Sequence, residues 1–191
     1  MPTNHGHRFG IDPAIVTSLV SRPQDEVIAE VSGGRASWLP ANPSKQVVSS
    51  AGTQIAVYTQ GSATVNGYQL GPKNVLLGAN DVDVLHPDDG VLVIETRYMQ
   101  ACCAVESVAA EQKYWGSITV IKSDLCVAAK VIVMRPGTNS SLEYHRHKKE
   151  VYYVLDGVLL VRVRAGRAED RIVEVPSGHA MTIPQGLMHQ R

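Results

Sequence analysis

The sequence predicts an all-β protein built from small barrels or sandwiches, and three observations carry that expectation. Short runs rich in valine, isoleucine and threonine recur from about residue 45 onward, bounded by glycine, proline, asparagine or aspartate. The runs follow one another without the intervening helical patterns that a parallel α/β sheet needs. The two halves also share a rhythm: Val57–Val65 and Val151–Val161 each read as strand, glycine turn and strand, leading to a further glycine turn and apolar run. A duplicated barrel is the simplest account of that repetition.

Composition narrows the class. The 191 residues suffice for one large domain or two small ones, and 44% hydrophobic with 19% charged residues is ordinary for a globular chain. Lys+Arg and Asp+Glu are both 18, so the formal net charge is zero. That balance argues against nucleic acid or an anionic membrane as partner, since both demand a basic excess. No apolar run approaches the ~20 residues of a membrane span, and MPTNHGHRFG has no apolar stretch resembling a secretion signal. A cytoplasmic protein is expected. Cys102, Cys103 and Cys126 lack disulfide or zinc-site spacing and read as buried or half-buried thiols.

Along the chain, residues 1–30 form a helical or irregular segment. Asp12-Pro13 is a helix start, followed by Ile15, Leu19 and Val20 at helical spacing until Arg22-Pro23 interrupts. The stretch from Gln24 to Val31 is either helix or edge strand. Residues 31–100 form a first β-rich domain, with strands at 46–50, 53–59, 63–66, 74–77, 82–85 and 91–96, and with Asp88-Asp89-Gly90 turning the chain into the last. Alanine and glutamate in residues 99–113 favour a short helix or loop, so 101–113 reads as a linker. Strands resume over 114–191, at 117–121, 126–134, 151–155, 158–164, 172–175 and 180–183.

The chemistry concentrates in Pro136 to Glu150. Glu143, His145 and His147 fall two apart, so on a strand all three project from one face. Three inward polar side chains need a partner for their lone pairs, and a divalent metal supplies one. Imidazole and carboxylate together suit zinc, iron, manganese, nickel or cobalt. The alternative is a solvated outward face with Tyr144 and Arg146 turned inward.

Downstream, Gly178, five residues, Pro184-x-Gly186, two residues and His189 form a second motif, and Glu150 stands six residues before Gly157. Both segments resemble the cupin superfamily. The resemblance implies a double-stranded β-helix (jelly-roll) barrel, here a duplicated bicupin, and carries that family's glutamate and final histidine onto Glu150 and His189. Counting from Gly137 puts Glu143 and His145 in the His-x-His places. Residue type instead favours His145 with His147. His145 is a ligand on either count, and Glu143 and His147 compete for the fourth place.

A closer resemblance covers roughly residues 111–191. Tyr114-Trp115-Gly116-Ser117, Pro136-Gly137, Ser141-Leu142-Glu143-x-His145-x-His147-x-x-Glu150 and Ile183-Pro184-x-Gly186-x-x-His189 look like the type II mannose-6-phosphate isomerase domain, also the C-terminal part of bifunctional mannose-1-phosphate guanylyltransferases. It implies aldose–ketose interconversion of a sugar or sugar phosphate, with zinc the first choice of metal. Glu143, if not a ligand, is a candidate base, and Lys148 a candidate acid or phosphate contact. A non-catalytic ligand-binding cupin and an iron-dependent dioxygenase are the competing functions. The sequence departs from the domain's pattern at Glu143, where it has glutamine, and at Lys148-Lys149-Glu150-Val151-Tyr152. It also stops soon after His189, so the second barrel is expected either to be completed by other strands, such as a partner's in a homodimer, or to be truncated.

The first half resembles a degenerate cupin: Val82 stands where the second motif would place histidine, and no His-x-His falls between residues 30 and 100. His86 reads as a solvated turn residue and His5/His7 as a tail. Arg162 and Arg164 read as an exposed face, and Trp38 and Trp115 as core or interface.

Overall fold

The computed structural model describes residues 19–21, 27–31, 33–41, 46–49, 54–79, 81–85, 89–97, 103–125, 127–164 and 170–191. Among them every regular element is a strand, and no helix is long and apolar enough to cross a membrane. The helix expected from Asp12 falls mostly outside the described residues. Its last position, Val20, is instead in a strand, β1 (Val20–Ser21). The chain divides into two compact units, residues 24–136 and residues 1–23 with 137–191.

The first unit opens with β2 (Val27–Val31), which settles the ambiguous segment as an edge strand paired to β3 (Gly34–Leu39). There follow β4 (Gln46–Ser49), β5 (Gln54–Thr59), β6 (Ala63–Val65), β7 (Tyr68–Leu70), β8 (Asn74–Ala79), β9 (Asp81–Leu85), β10 (Val91–Thr96) and β11 (Ala104–Ser107). They make a six-stranded sheet, β11-β8-β5-β10-β3-β2, and a four-stranded sheet, β4-β9-β6-β7. Between the sheets lies an aliphatic cluster that includes Leu39, Ile55, Val57, Val65, Leu76, Val82, Val84 and Val93. Burying such side chains is worth about 1.5–3 kcal/mol each. The β6–β7 turn is Asn66-Gly67, with φ of 50° and 80°. This is the left-handed pair that a type I′ hairpin requires.

A meander of β12 (Ala110–Lys113), β13 (Gly116–Ser123) and β14 (Ala128–Met134) completes this unit. Ile121, Val127, Ala129 and Val131 pack against Ala56, Tyr58, Val75 and Ile94, on the other face of the six-stranded sheet. With both faces covered, β5 is buried along its whole length. The helix or loop expected over 99–113 is, where described, strand: β11 pairs with β8 and β12 with β13. Alanine and glutamate are good helix formers, but a ready strand edge overrides so weak a preference. Cys103 is exposed, against expectation, just ahead of edge strand β11. Cys102, Cys126, His86, His5 and His7 lie outside the described residues.

The second unit holds β15 (Glu150–Tyr153), β16 (Val158–Arg164), β17 (Asp170–Pro176), β18 (Ala180–Ile183) and β19 (Met188–Gln190). They form two sheets, β1-β18-β15 and β17-β16-β19. Its core joins Leu19, Val154, Val161, Val163, Val175, Met181, Ile183 and Leu187. The pairing repeats part of the first unit: β5 with β8 becomes β15 with β18, and β7-β6-β9 becomes β17-β16-β19. Each unit's β8-like strand also takes an extra edge strand, β11 in one and β1 in the other. The duplication expected from sequence rhythm is therefore a repeat of topology. The second unit draws one of its strands, β1, from the chain's own N-terminal region.

Candidate metal centre

Three segments of the second unit converge. Glu150 opens β15 opposite Ile183 of β18. His189 is the middle residue of β19, opposite Val163, and is wholly buried. Glu143 forms an isolated bridge with His189, each backbone N–H donating to the other's carbonyl at 2.9 and 2.8 Å. Residues opposed in this way project from the same face, so Glu143 and His189 are delivered together. The turn Pro184-Gln185-Gly186-Leu187 brings the chain back to His189. Gly186 sits at φ 80°, the left-handed position of a type II turn. Its N–H donates to the His145 carbonyl at 2.8 Å, fixing the loop that carries His145.

Glu143, His145, Glu150 and His189 each offer a ligand atom, and these atoms all lie within 4.8 Å of one another. His189 Nε2 stands 3.2 Å from Glu150 Oε2 and 3.9 Å from Glu143 Oε1. His145 Nε2 stands 3.5 Å from Glu150 Oε1 and 4.0 Å from Glu143 Oε2. Donors about 2.1 Å from a shared ion stand roughly 3–4.2 Å apart, so this set needs little adjustment to hold one.

Two features of the donors fit a cation. His145 Nε2 is buried without a hydrogen-bond partner. His189 has acceptors on both sides, the Leu187 carbonyl 2.9 Å from Nδ1 and Glu150 Oε2 3.2 Å from Nε2. A neutral imidazole has one proton, and a carbonyl can only accept, so Nδ1 carries it. Nε2 then turns its lone pair toward Glu150 Oε2, an arrangement that a cation between them would satisfy.

Surrounding groups hold the Glu150 carboxylate ionised. Burial by itself would raise the Glu150 pKa, but hydrogen bonds from His189, Lys148 and Tyr152, with the Lys148 charge, outweigh it and keep the carboxyl well below the usual range. Lys148 Nζ lies 2.6 Å from Glu150 Oε1 with its side chain half exposed. The Tyr152 hydroxyl donates to Glu150 Oε2 at 2.6 Å. Burial pushes that phenol's pKa upward; the Arg191 charge opposes this, and the bond to Glu150 adds to it. Arg191 donates from Nη1 to the Tyr152 hydroxyl at 2.8 Å and from Nη2 to Glu143 Oε1 at 2.9 Å.

The structure thus gathers Glu143, His145, Glu150 and His189, sets Lys148 beside Glu150, and leaves His147 outside the cluster. Tyr144, Arg146 and His147 are all exposed, because the chain bends at Arg146–His147 instead of continuing as a strand. Alternation therefore holds for 143 and 145 and fails at 147. Arg162 and Arg164 pair with Asp170 at the surface. Trp115 is buried and Trp38 half-buried. Sequence reasoning missed Tyr152 and Arg191. Each lies two residues beyond a donor, Glu150 and His189, so the period-two rule of extended chain could have found both.

Residues 104–191 match the family described as mannose-6-phosphate isomerase C-terminal. No curated protein matches the sequence. Among solved structures, the formate complex of Lactobacillus farciminis oxalate decarboxylase superposes with a TM-score of 0.62 at 11% identity, covering 90% of this chain and 81% of that one. An IolB-like protein from Salmonella typhimurium gives 0.61 at 15% identity, covering 90% and 86%. A Bacillus subtilis oxalate decarboxylase studied for its Mn(II) centres gives 0.61 at 12% identity, covering 90% and 72%. At such identities the likeness speaks for the fold, which is the cupin fold.

Proposed function

Starting from a cupin whose residues 104–191 match the mannose-6-phosphate isomerase C-terminal family, we propose that its second unit holds a divalent metal and interconverts an aldose and a ketose, as free sugar or sugar phosphate. The observation that carries this reading is the convergence of Glu143, His145, Glu150 and His189 inside the matched segment, with a buried imidazole nitrogen lacking a hydrogen-bond partner. Two imidazoles and two carboxylates suit zinc first, with iron, manganese, nickel and cobalt also accommodated. The ion, when bound, polarises the substrate oxygens at carbons 1 and 2.

The chain's own residues do the rest. His145, Glu150 and His189 fix the site, and Glu143 is the fourth ligand. Lys148, half exposed beside Glu150, meets the phosphate or donates a proton to the substrate oxygen. Transfer between carbons 1 and 2 calls for a base within hydrogen-bond reach. Glu143 is the carboxylate for that role should substrate take its place at the metal.

Metal analysis of protein purified without chelator should find about one divalent ion per chain, and coupled assays should register conversion of mannose 6-phosphate to fructose 6-phosphate. Chains without metal would sink the metal reading. Metal without turnover, and no sugar or sugar phosphate raising the melting temperature, would sink the isomerase reading alone. Iron together with oxygen uptake would point to a dioxygenase instead.

A further inference from the structure

The two carboxylates of the donor cluster come from very different backbone. Glu150 opens a paired strand, whereas Glu143 has a single bridge and is followed by a bend at Arg146–His147. A long side chain on such a segment keeps rotamer freedom unless something removes it. Arg191 and Tyr152 are placed to do so. From Glu143 Oε1 a chain of bonds runs to Arg191 Nη2 at 2.9 Å, from Arg191 Nη1 to the Tyr152 hydroxyl at 2.8 Å, and from that hydroxyl to Glu150 Oε2 at 2.6 Å. The guanidinium also lies over the Tyr152 ring, 5.0 Å from its centroid.

Arg191 is itself held. Its N–H donates to Ser140 Oγ at 3.1 Å, its carbonyl accepts from Ser140 N–H at 2.6 Å, and the Gln190 side chain donates to the Ser140 carbonyl at 2.6 Å. We propose that Arg191 and Tyr152 are positioning residues that tie Glu143 to Glu150, presenting both carboxylates to one cation in a fixed geometry. Each carboxylate then has one oxygen occupied by the tie: Oε1 of Glu143 and Oε2 of Glu150. The other two, Glu143 Oε2 and Glu150 Oε1, stand 4.0 and 3.5 Å from His145 Nε2, and Glu150 Oε1 also meets Lys148 Nζ at 2.6 Å.

This inference rests on the metal reading, and its test separates the two. The probe is zinc alone, titrated into full-length protein against a competing chromophoric chelator. Partners of this outer kind are worth about 10–100-fold in metal affinity. Tyr152→Phe, which keeps the ring beneath the guanidinium, should weaken zinc binding about 10-fold. Arg191→Gln should weaken it by at least as much, and Arg191→Lys should recover part of the loss. The double variant should bind no more weakly than the poorer single one, since both break the same chain of bonds.

The sign of the Arg191 effect is diagnostic. Charge alone predicts the reverse, because removing a cation beside the site should tighten zinc binding. Tighter binding by Arg191→Gln, or wild-type affinity in Tyr152→Phe, overturns the positioning role and leaves the metal reading intact. Failure of the wild-type protein to bind zinc overturns both. If Arg191→Gln does not fold, Tyr152→Phe decides the matter.

Discussion

The two units share part of their strand pairing but differ in what their counterpart strands β9 and β19 bury. Val82 and Val84 of β9 are wholly buried among aliphatic neighbours that include Val57, Val65 and Val93. In the counterpart strand β19 the wholly buried residue is His189, and the side chains around it are Glu143, His145, Glu150 and, across one ring face, Tyr152. A duplicated framework therefore leaves the choice of interior open. An aliphatic filling contributes stability at every position, whereas a polar filling holds only if each lone pair finds a proton or a cation. Among the described residues, the first unit fills this interior with its own aliphatic side chains. The second gathers four side chains there that could hold a metal ion.

The largest expected effect comes from erasing that difference in the second unit. His189→Ala removes the most buried donor and should abolish zinc binding at micromolar concentration, with isomerase turnover falling to background. Calorimetric titration with zinc checks it, and retained stoichiometric binding would mean that the donors are elsewhere. The reverse substitution, Val82→His, puts an imidazole into the first interior with nothing to receive its polar atoms. Overpacking and an unsatisfied buried group together should lower unfolding stability by roughly 2–5 kcal/mol. No metal is gained, since among the described residues no Asp or Glu is buried. Chemical denaturation measures the loss; an unchanged midpoint would show that this interior is looser than its packing implies.

How much of this was legible beforehand follows the physics of each element. Strands with alternating or continuous β-branched runs, such as β5, β10 and β16, announce themselves, because side-chain shape and burial act locally there. β11 and β12 do not: their alanines and glutamates are helix formers, and they are strands only because β8 and β13 offer free edges. β1 pairs with β18 some 160 residues away in sequence, and no local pattern encodes that. At the site, the resemblance to the cupin motifs singled out His145, Glu150 and His189, which the structure brings together with Glu143. The resemblance left Glu143 against His147, because a bend at 146–147 depends on tertiary contacts such as the bond from Gly186 to His145. Tyr152 and Arg191 carry no motif, yet both follow from extending the alternation two residues past a known donor.

A smaller effect separates the units by pH. Glu150 is held below its ordinary pKa in the folded chain, so the unfolded state takes up its proton first as pH falls. Its ion-paired form therefore contributes stability above the unfolded value of about 4.3. That contribution is lost as pH drops through the lower folded value. With metal removed by chelator, the melting temperature of the wild-type protein should fall more steeply from pH 5 toward pH 3 than that of Glu150→Gln. Parallel curves would show that the bonds from His189, Lys148 and Tyr152 do not persist in solution.

The smallest effect belongs to the surface of the same unit. Asp170 faces Arg164 across the β16–β17 pair and also meets Arg162, and those two guanidinium groups hold its carboxyl well below the usual range. At the site, by contrast, Glu143 and Glu150 each meet one permanent cation, Arg191 and Lys148 respectively. The difference is solvent at one member of each inner pair: the surface side chains are all 34–41% exposed, while Glu150 is 16% and Arg191 11% exposed. Water and salt screen the outer cluster and reach the inner one poorly. Asp170→Asn should lower the melting temperature only slightly, and the difference from wild type should vanish in about 1 M salt, where the screening length is near 3 Å. Zinc affinity should not change. A loss that survives high salt would mean that the outer cluster supports the strands through packing rather than charge, and that the contrast between the inner and outer ion pairs is one of geometry rather than exposure.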